Sequence, residues 1–309
     1  MSALSERADD YLRLRRSLGH DLAEAHRLLP RFIAYLDAIG ADTVTIEAAL
    51  AWAQQPDVDP ATTVWPRRMT VARGFARHMA GINARTEVPP LGLIPMRQRW
   101  RPPFIYSSAD VAALMAQARS IRWRLPAATH ETLIGLLAAT GMRVSEALRL
   151  DRSDINWADG VLLIRESKFG KSRQVPVLAC TLAALARYAA VRDELCEEPA
   201  TPSVLVSVRS TRLIYPVVQQ VFDHLRTATG IGTGSPSRPR VHDLRHTFAV
   251  RTLVGWYRAG EDVEARIPLL STYLGHRDPR STYWYLSAAP ELLALAAGRL
   301  ELSREVIAR

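Results

Sequence analysis

Lysine is nearly missing from this chain of 309 residues. Only two of its 40 lysine and arginine residues are lysines, Lys168 and Lys171, and both lie in one short stretch. Arginine stays charged and grips oxyanions through a planar fork, whereas the pKa of a lysine can shift far enough for the side chain to give up a proton. A coding preference accounts for the excess of arginine, because an exposed cation serves about equally well as either residue. The two lysines are therefore candidates for proton chemistry.

Cysteine and long apolar runs are also scarce. Cys180 and Cys196 are too few and too isolated to form a disulfide framework or a cysteine-ligated zinc site. No run of about 18 apolar residues occurs, and the N-terminal residues are charged from the start, so we expect neither a membrane span nor a secretory signal. These features predict a cytoplasmic protein.

The composition is that of an ordinary folded protein with an excess of positive charge. Hydrophobic residues make up 48% of the chain, which is enough for a sizeable core and excludes a disordered or fibrous protein. The length suits one large or two ordinary domains. A formal net charge of +9 favours a polyanionic partner.

The spacing of apolar residues divides the chain into three stretches. Residues 1–88 have apolar residues at helical spacing, which predicts a small helical bundle. Residues 89–106 are rich in proline and arginine and lack a helical period, as expected of a semi-rigid linker. Residues 107–309 form the second predicted domain and end in a further predicted helix.

Within the second domain, the apolar period changes from helical to alternating and back. Ser107 or Ser108 is the candidate start of one helix and Thr129 that of the next, which ends at Gly141. Three stretches then alternate or run apolar around turn residues, at 155–157, 161–164 and 174–177. They predict an antiparallel sheet of three strands, whose second turn carries both lysines. The expected fold is mainly α with a small antiparallel β-sheet.

An arginine-rich stretch covers the last predicted helix of the first domain and the linker. No acidic residue occurs between Ala61 and Arg85. A solvated basic face would account for these arginines, and the alternative is a surface that follows the phosphates of DNA. On the second interpretation, the candidate DNA contacts are Arg67, Arg68, Arg73, Arg77, Arg97, Arg99 and Arg101.

Four short motifs in the second domain carry reactive side chains. In chain order they are Thr140–Glu146 (TGMRVSE), the lysine turn at 166–172, His242–His246 (HDLRH), and Leu274–His276 (LGH) with Tyr285 nine residues beyond it. Each motif alone is a weak signal. The arginine of the first can form a surface ion pair with the glutamate, a His-x-x-Arg pair is often structural, and Leu-Gly-His commonly ends a helix.

The side chains of the four motifs fit one reaction. Two arginines can bind the oxygens of one phosphodiester and neutralise the charge that develops on it. Histidines can donate hydrogen bonds or move protons near neutral pH, a tyrosine can act as a nucleophile, and a lysine can protonate a leaving alkoxide. The sequence has neither a paired acidic cluster for two metal ions near these residues nor a Gly-rich phosphate loop, so we expect no metal or nucleotide cofactor.

Together, the motifs resemble those of the tyrosine recombinase family, which includes phage integrases and Xer-like enzymes. The resemblance covers residues 107–290 by motif, and the basic helical part, 1–88, is similar in type and position to the family's core-binding domain. It implies a site-specific recombinase that cuts and rejoins DNA through a covalent 3′-phosphotyrosine, in integration, excision, transposition or resolution. A catalytically silent DNA-binding relative and a type IB topoisomerase are the alternatives.

The resemblance also implies a role for each reactive side chain. Lys168, the first lysine of the turn, would protonate the leaving 5′ oxygen, and Lys171 would contact the DNA backbone. The tyrosine at the family's spacing, Tyr285, would be the nucleophile. Two arginines would clamp the scissile phosphate and two histidines would assist proton transfer and hold it: Arg143 and Arg245, His242 and His276.

Some of these residues have neighbours of the same type. Tyr283 is two residues from Tyr285 and therefore faces a different side of a helix, and Tyr273 lies in an apolar helical stretch typical of a core. His246 fits a packed helix residue. Glu146 fits a residue that orients the arginine turn.

Residues 288–309 have leucines and alanines on one side of a predicted helix. This helix can pack on its own domain. In the resembled family a C-terminal helix docks into a neighbouring protomer and links the subunits of a tetramer on DNA, and we favour that arrangement here. Other recombinases are further candidate partners.

Overall fold

The computed structural model of the protein describes residues 2–20, 22–56, 62–95, 102–166, 172–196, 200–276, 278–288 and 291–298. The chain separates into two compact units, Met1–Trp100 and Arg101–Arg309. The division falls inside the stretch 89–106, which the sequence predicts to be a linker.

The first unit is a bundle of helices: α1 (Ala3–Ser17), α2 (Ala23–Ala38), α3 (Ile46–Ala53) and α4 (Val64–Ala80). The Thr45 side chain accepts a hydrogen bond from the amide of Ala48, which caps the start of α3. The apolar faces meet in one core, where the rings of Phe32 and Trp52 lie 4.6 Å apart between centroids. The apolar spacing in the sequence therefore predicts the helical character of this unit correctly.

The second unit alternates helices with one small sheet. Its first helices are α5 (Ser108–Arg119), α6 (Arg124–Thr140) and α7 (Val144–Arg149), and its strands are β1 (Ile155–Asn156), β2 (Val161–Ile164) and β3 (Arg173–Pro176). The later helices are α8 (Ala179–Leu195), α9 (Tyr215–Thr229), α10 (Asp243–Arg258), α11 (Val263–Leu274) and α12 (Arg280–Ala288). Residues 291–298 are also helical. Within the described ranges, none of the helices is long and apolar enough to cross a membrane.

The three strands form an antiparallel sheet in the order β1-β2-β3. Leu162 pairs with Val175, and both side chains lie in the core. Ile164 lies there too, because alternate residues of a strand point to the same face. The predicted fold class, mainly α with a small antiparallel sheet, is confirmed.

One predicted helix boundary is wrong. The sequence interpretation begins a helix at Thr129, whereas α6 begins at Arg124. Pro126 does not prevent this earlier start, because the amides of the first helical turn need no intrahelical partner. Thr129 lies inside the helix, where its hydroxyl is within 3.1 Å of the hydroxyl of Tyr188. Of the two predicted caps of α5, Ser107 and Ser108, the structure has Ser107, whose side chain accepts from the amide of Asp110.

Helix α6 is the central helix of the second unit and packs against α5, α8 and α10. It contributes Leu133 and Leu137 to the apolar cluster that also contains the inner face of the sheet. A second cluster joins α10, α11 and α12 with Leu292 of the last described helix. This packing brings the carboxyl end of α6 to the carboxyl end of α11.

Candidate active site

The carboxyl ends of α6 and α11 are where the motif side chains meet. The helices end at Gly141 and Gly275, which adopt positive φ angles of 59° and 69°. A Cβ atom would lie 2.4 Å from Cδ1 of Phe248 at the first position and 2.7 Å from Nη1 of Arg173 at the second. Both conformation and space therefore require glycine. Each helix end leaves main-chain carbonyls without intrahelical partners and carries the negative end of the helix dipole.

Arg143 and Arg245 bind the carbonyls at these two helix ends. Arg245 donates from Nη1 to the Gly141 carbonyl at 2.9 Å and from Nη2 to the Leu274 carbonyl at 2.8 Å. Arg143 donates from Nη2 to the Gly275 carbonyl at 2.9 Å. Burial lowers the pKa of Arg245 to about 10, which leaves it protonated at neutral pH. A guanidinium has five N–H donors, so both side chains keep donors for an anion.

Glu146 joins Arg143 to a third arginine, Arg173. Its buried carboxylate accepts from Nη1 of Arg143 at 2.7 Å and from both terminal nitrogens of Arg173, at 3.0 and 2.8 Å. Arg173 also donates from Nε to the carbonyl of Tyr273 at 2.9 Å. Burial alone would raise the pKa of Glu146, but Arg173 and Arg143 outweigh it and lower the pKa to about 2. The carboxylate therefore stays ionised and fixes the direction of the Arg143 guanidinium.

Replacing Glu146 by glutamine is expected to destabilise the second unit at neutral pH by about 3 kcal/mol. Folding lowers the pKa of this carboxyl from 4.5 to about 2, so its contribution is complete above pH 4.5 and is lost as the pH falls towards 2. Calorimetric unfolding of the wild type and the variant across this range should show two curves that converge at low pH. Glu131→Gln is the control, because its ion pair with Arg119 lies near the surface. Parallel curves for Glu146→Gln would contradict the assignment.

His276 follows the end of α11 and is half-buried beside the arginines. Its Nδ1 lies 2.7 Å from Oγ1 of Thr282 near the start of α12. Burial and the charge of Arg245 lower its pKa to about 4, so the ring is uncharged at neutral pH. His242 precedes α10 and keeps an exposed edge, while burial of the rest and the charge of Arg245 lower its pKa as well. Both histidines are therefore neutral hydrogen-bonding groups at neutral pH.

Tyr285 of α12 lies against the arginines and histidines and is only 2% exposed. Its ring centroid is 6.0 Å from that of His276 and 5.5 Å from that of His246. Burial raises the pKa of its hydroxyl, whereas Arg245 lowers it through charge and a hydrogen bond. Tyr283, in contrast, is 43% exposed. The structure thus brings Tyr285 to the arginine pair and leaves Tyr283 on the surface.

The other histidine and tyrosine of the motif region are packing residues. His246 lies between the ring of His242, at 5.0 Å, and that of Trp284, at 5.4 Å. Burial and then His242 lower its pKa to about 3. Tyr273 stacks on Phe248 with 5.5 Å between ring centroids. Both placements agree with the sequence interpretation.

Lys168 and Lys171 lie outside the described residues, but the strands on either side of their turn are described. β2 and β3 remain paired as far as Ile164 and Arg173. Arg173, the first residue after the turn in β3, is bonded to Glu146. The role that the sequence predicts for Lys168 stays a prediction.

Two of the predicted DNA contacts on α4 lie on its exposed side. Arg67 and Arg77 are exposed, and Arg67 forms an ion pair with Glu24. Of the remaining predicted contacts, three lie outside the described residues together with Lys171: Arg97, Arg99 and Arg101.

Arg68 and Arg73 correct the prediction, because both are buried. Arg73 donates from Nε to the carbonyl of Pro89 at 2.8 Å and from Nη2 to that of Pro90 at 2.9 Å. The guanidinium of Arg68 lies over the ring of Trp52, 5.7 Å from its centroid. Both side chains hold the first unit together and have no surface to offer to a phosphate.

The sequence interpretation overlooked two residues of the cluster, Arg173 and Thr282. A weak signal existed for each. Arg173 alternates with the buried Val175 and therefore faces the same side of the sheet. Thr282 precedes Tyr285 by three residues and therefore shares a helix face with it. Neither spacing reveals the partner, which is Glu146 for Arg173 and, across the break between α11 and α12, His276 for Thr282.

The sequence model of the phage integrase family matches residues 106–291. The chain is 40% identical over 309 residues to a Sinorhizobium fredii protein named “Putative integrase/recombinase y4rB”, with 97% of this chain and 98% of that protein covered. It is 30% identical over 285 residues to tyrosine recombinase XerD of Caulobacter vibrioides, with 89% of this chain and 86% of that protein covered. Among solved structures, a lambda integrase tetramer bound to a Holliday junction aligns with a TM-score of 0.61 at 17% identity, covering 91% of this chain and 76% of that chain.

The second unit is mainly helical, has a small three-stranded sheet, and gathers arginine, histidine and tyrosine side chains at two helix ends. This is the architecture of a recombinase catalytic domain. The chain belongs to the phage integrase family of tyrosine recombinases.

Proposed function

We propose that this protein is a site-specific DNA recombinase that cuts and rejoins DNA through a covalent 3′-phosphotyrosine intermediate, in integration, excision, transposition or resolution. The observation that carries the proposal is the meeting of Arg143, Arg245, His276 and Tyr285 at the ends of α6 and α11. Distant parts of the chain supply these side chains. An arrangement that keeps two buried or half-buried guanidiniums beside a tyrosine suits phosphoryl transfer better than simple packing.

In the proposed reaction, the oxygen of Tyr285 attacks the scissile phosphorus. A bond from phosphorus to the tyrosine oxygen forms while the bond to the 5′ oxygen of the next nucleotide breaks. Arg143 and Arg245 bind the non-bridging oxygens and stabilise the charge of the transition state. The hydrogen bond and charge of Arg245 also favour the phenolate that must attack.

Proton transfer completes the exchange. The phenol proton passes to the neutral His242, His276 donates a hydrogen bond to the phosphate, and Lys168 gives a proton to the leaving 5′ oxygen. The phosphotyrosine keeps the energy of the broken phosphodiester, because one ester replaces another. Reversal with a new 5′ hydroxyl rejoins the strand, so the reaction consumes no nucleotide cofactor.

Duplex DNA is the proposed partner. A protein that acts on DNA is expected in the cytoplasm, which is also the location that the sequence predicts. Arg67 and Arg77 offer an exposed basic side of α4 to the phosphates. The candidates outside the described residues extend this proposed contact: Arg97, Arg99, Arg101 and Lys171.

Replacing Arg77 by alanine is expected to weaken DNA binding a few-fold, to lower the slope of log affinity against log salt by about one, and to leave stability unchanged. Arg73→Ala is the matched variant one helical turn away. It should destabilise the first unit by about 2–3 kcal/mol, because it removes two charge-assisted hydrogen bonds to the carbonyls of Pro89 and Pro90. Gel shifts at two salt concentrations and calorimetry measure both effects. Normal stability of Arg73→Ala with weaker DNA binding would restore the original prediction for that residue.

A tetramer on DNA, linked by exchange of the C-terminal helix, completes the proposal and follows the assembly named for lambda integrase. In the single chain, residues 291–298 pack on their own domain. Leu292 is buried in the α10–α12 cluster, and Glu291 forms an ion pair with Arg258 at 2.6 Å. Exchange between protomers therefore requires release of these two contacts.

Covalent trapping tests the proposal. The bound DNA site is first selected from a library of randomised duplexes, and a nick is then placed a few nucleotides beyond the scissile phosphate, so that the short released fragment diffuses away. The wild-type protein should form an adduct that survives denaturing gels, with the nucleotide on the tryptic peptide 281–299. Salt-dependent binding without an adduct would identify a silent DNA-binding protein, and relaxation of supercoiled plasmid lacking the site would identify a topoisomerase.

A further inference from the structure

Thr282 is bonded differently from three other threonines in the helices around the site. The hydroxyls of Thr247, Thr252 and Thr272 each donate to the carbonyl four residues earlier in the same helix. Thr282 is the third residue of α12, and its hydroxyl instead lies 2.7 Å from Nδ1 of His276. Its side chain is completely buried. Its hydroxyl is therefore used between two elements and not within its own helix.

The partner ring has two nitrogens with different tasks. An uncharged imidazole carries a hydrogen on one nitrogen and a lone pair on the other. Nδ1 of His276 is occupied by Thr282, so Nε2 is the nitrogen left for a substrate. A phosphodiester offers only acceptor oxygens, which attract a hydrogen on Nε2 and repel a lone pair there. A hydroxyl that donates to Nδ1 selects the favourable form.

We propose that Thr282 is a positioning residue for His276: its hydroxyl donates to Nδ1, fixes the tautomer with the hydrogen on Nε2, and so makes that hydrogen available to the scissile phosphate. The inference rests on the proposed function, because it assigns His276 to the same reaction.

The same hydrogen bond ties the end of α11 to the helix of the nucleophile. Thr282 and Tyr285 are three residues apart on α12 and share a face. The ring of His276 stacks on that of Tyr285 with an interplanar angle of 21°. The carbonyls just before His276, of Leu274 and Gly275, hold the two clamp arginines. Thr282 thus sets the position of His276 relative to both the arginines and the tyrosine.

Three variants separate this role from simple packing. Thr282→Val keeps the shape and removes the hydroxyl, Thr282→Ser keeps the hydroxyl, and Thr252→Val removes a hydroxyl that donates to a carbonyl of its own helix, α10. With the nicked duplex under single-turnover conditions, we expect Thr282→Val to cleave about 10- to 100-fold more slowly, as for other residues that orient a functional histidine. Thr282→Ser should stay within about 3-fold of the wild type and Thr252→Val should match it, with DNA affinity unchanged in all three.

A double-mutant cycle tests whether Thr282 acts through His276. In a His276→Ala background, Thr282→Val should slow cleavage further by less than about 2-fold, because the group it orients is gone. An equal loss in both backgrounds would overturn the inference and show a contribution of Thr282 that is independent of the histidine.

The tautomer itself can be measured without any reaction. Nitrogen chemical shifts of histidine-labelled protein distinguish the two tautomers, and comparison with His276→Gln assigns the signal among the eight histidines. We expect the Nε2–H form in the wild type and in Thr282→Ser, and a mixture in Thr282→Val. The Nδ1–H form in the wild type, or normal cleavage by Thr282→Val, would overturn the inference. Failure of the wild type to form any adduct would instead count against the proposed function.

Discussion

Tyr285→Phe is expected to form no covalent adduct with the nicked duplex, a loss of about 10⁴-fold or more in cleavage, while its DNA affinity stays unchanged. The substitution removes only the oxygen that would bond to phosphorus and keeps the ring. Ring packing against His246 and His276 is thereby preserved, so the α12 helix should remain in place. Adduct formation on denaturing gels and a gel shift with the same duplex measure the two quantities separately.

Tyr283→Phe is the matched control on the same helix. Its side chain is 43% exposed, whereas that of Tyr285 is buried beside Arg245. We expect this variant to form the adduct at the wild-type rate. An adduct that persists in Tyr285→Phe and disappears in Tyr283→Phe would show that the wrong tyrosine was assigned.

The fold and the reactive side chains are largely readable from local sequence. Glycine marks the ends of two helices, at Gly141 and Gly275, and the alternation of apolar residues predicts the three strands. Arg143 and His276 lie within two residues of those ends. Arg143, Arg245 and His276 could be selected before their surroundings were known because their motifs together resemble those of the tyrosine recombinase family.

Partners supplied by distant segments could not be predicted in the same way. Arg173 meets Glu146 across 27 residues and the carbonyl of Tyr273 across 100, and only tertiary packing decides such distances. The error at Arg73 has a different origin. It lies four residues after the buried Met69 and three before the buried Ala76, so the helical period already placed it on the apolar face. The assignment was wrong because it counted charges along the sequence and did not consider which face of the helix carries each charge.

The helix ends bear directly on the proposed binding of a phosphate. The carboxyl ends of α6 and α11 are electronegative and would repel a phosphate. Arg143 and Arg245 satisfy the orphan carbonyls there and reverse the sign, while Glu146 and Arg173 hold the first of them in place. The helix ends therefore fix two cations whose remaining donors are free to point at a substrate. Precise anchoring of this kind is what electrostatic stabilisation of a transition state requires.

Lys168→Arg is expected to bind DNA normally and to cleave about 10²- to 10⁴-fold more slowly. The variant keeps the positive charge of the turn, but a guanidinium does not release a proton at physiological pH. Arg173, the first residue of β3 after the turn, is bonded to Glu146, and the role of Lys168 as proton donor is the one that the family resemblance implies. Single-turnover cleavage of the nicked duplex measures the loss.

A duplex that carries sulfur in place of the leaving 5′ oxygen tests whether Lys168 acts by proton transfer. A thiolate leaves without protonation, because its conjugate acid is far stronger than that of an alkoxide, so Lys168→Arg should cleave this duplex nearly as fast as the wild type does. Lys171→Arg is the matched control three residues away, and it should cleave both duplexes at the wild-type rate because it retains the charge needed for a backbone contact. Slow cleavage confined to Lys171→Arg and cured by sulfur would transfer the role of proton donor to that lysine. Slow cleavage by Lys168→Arg that sulfur does not cure would show that this lysine places the phosphate and donates no proton.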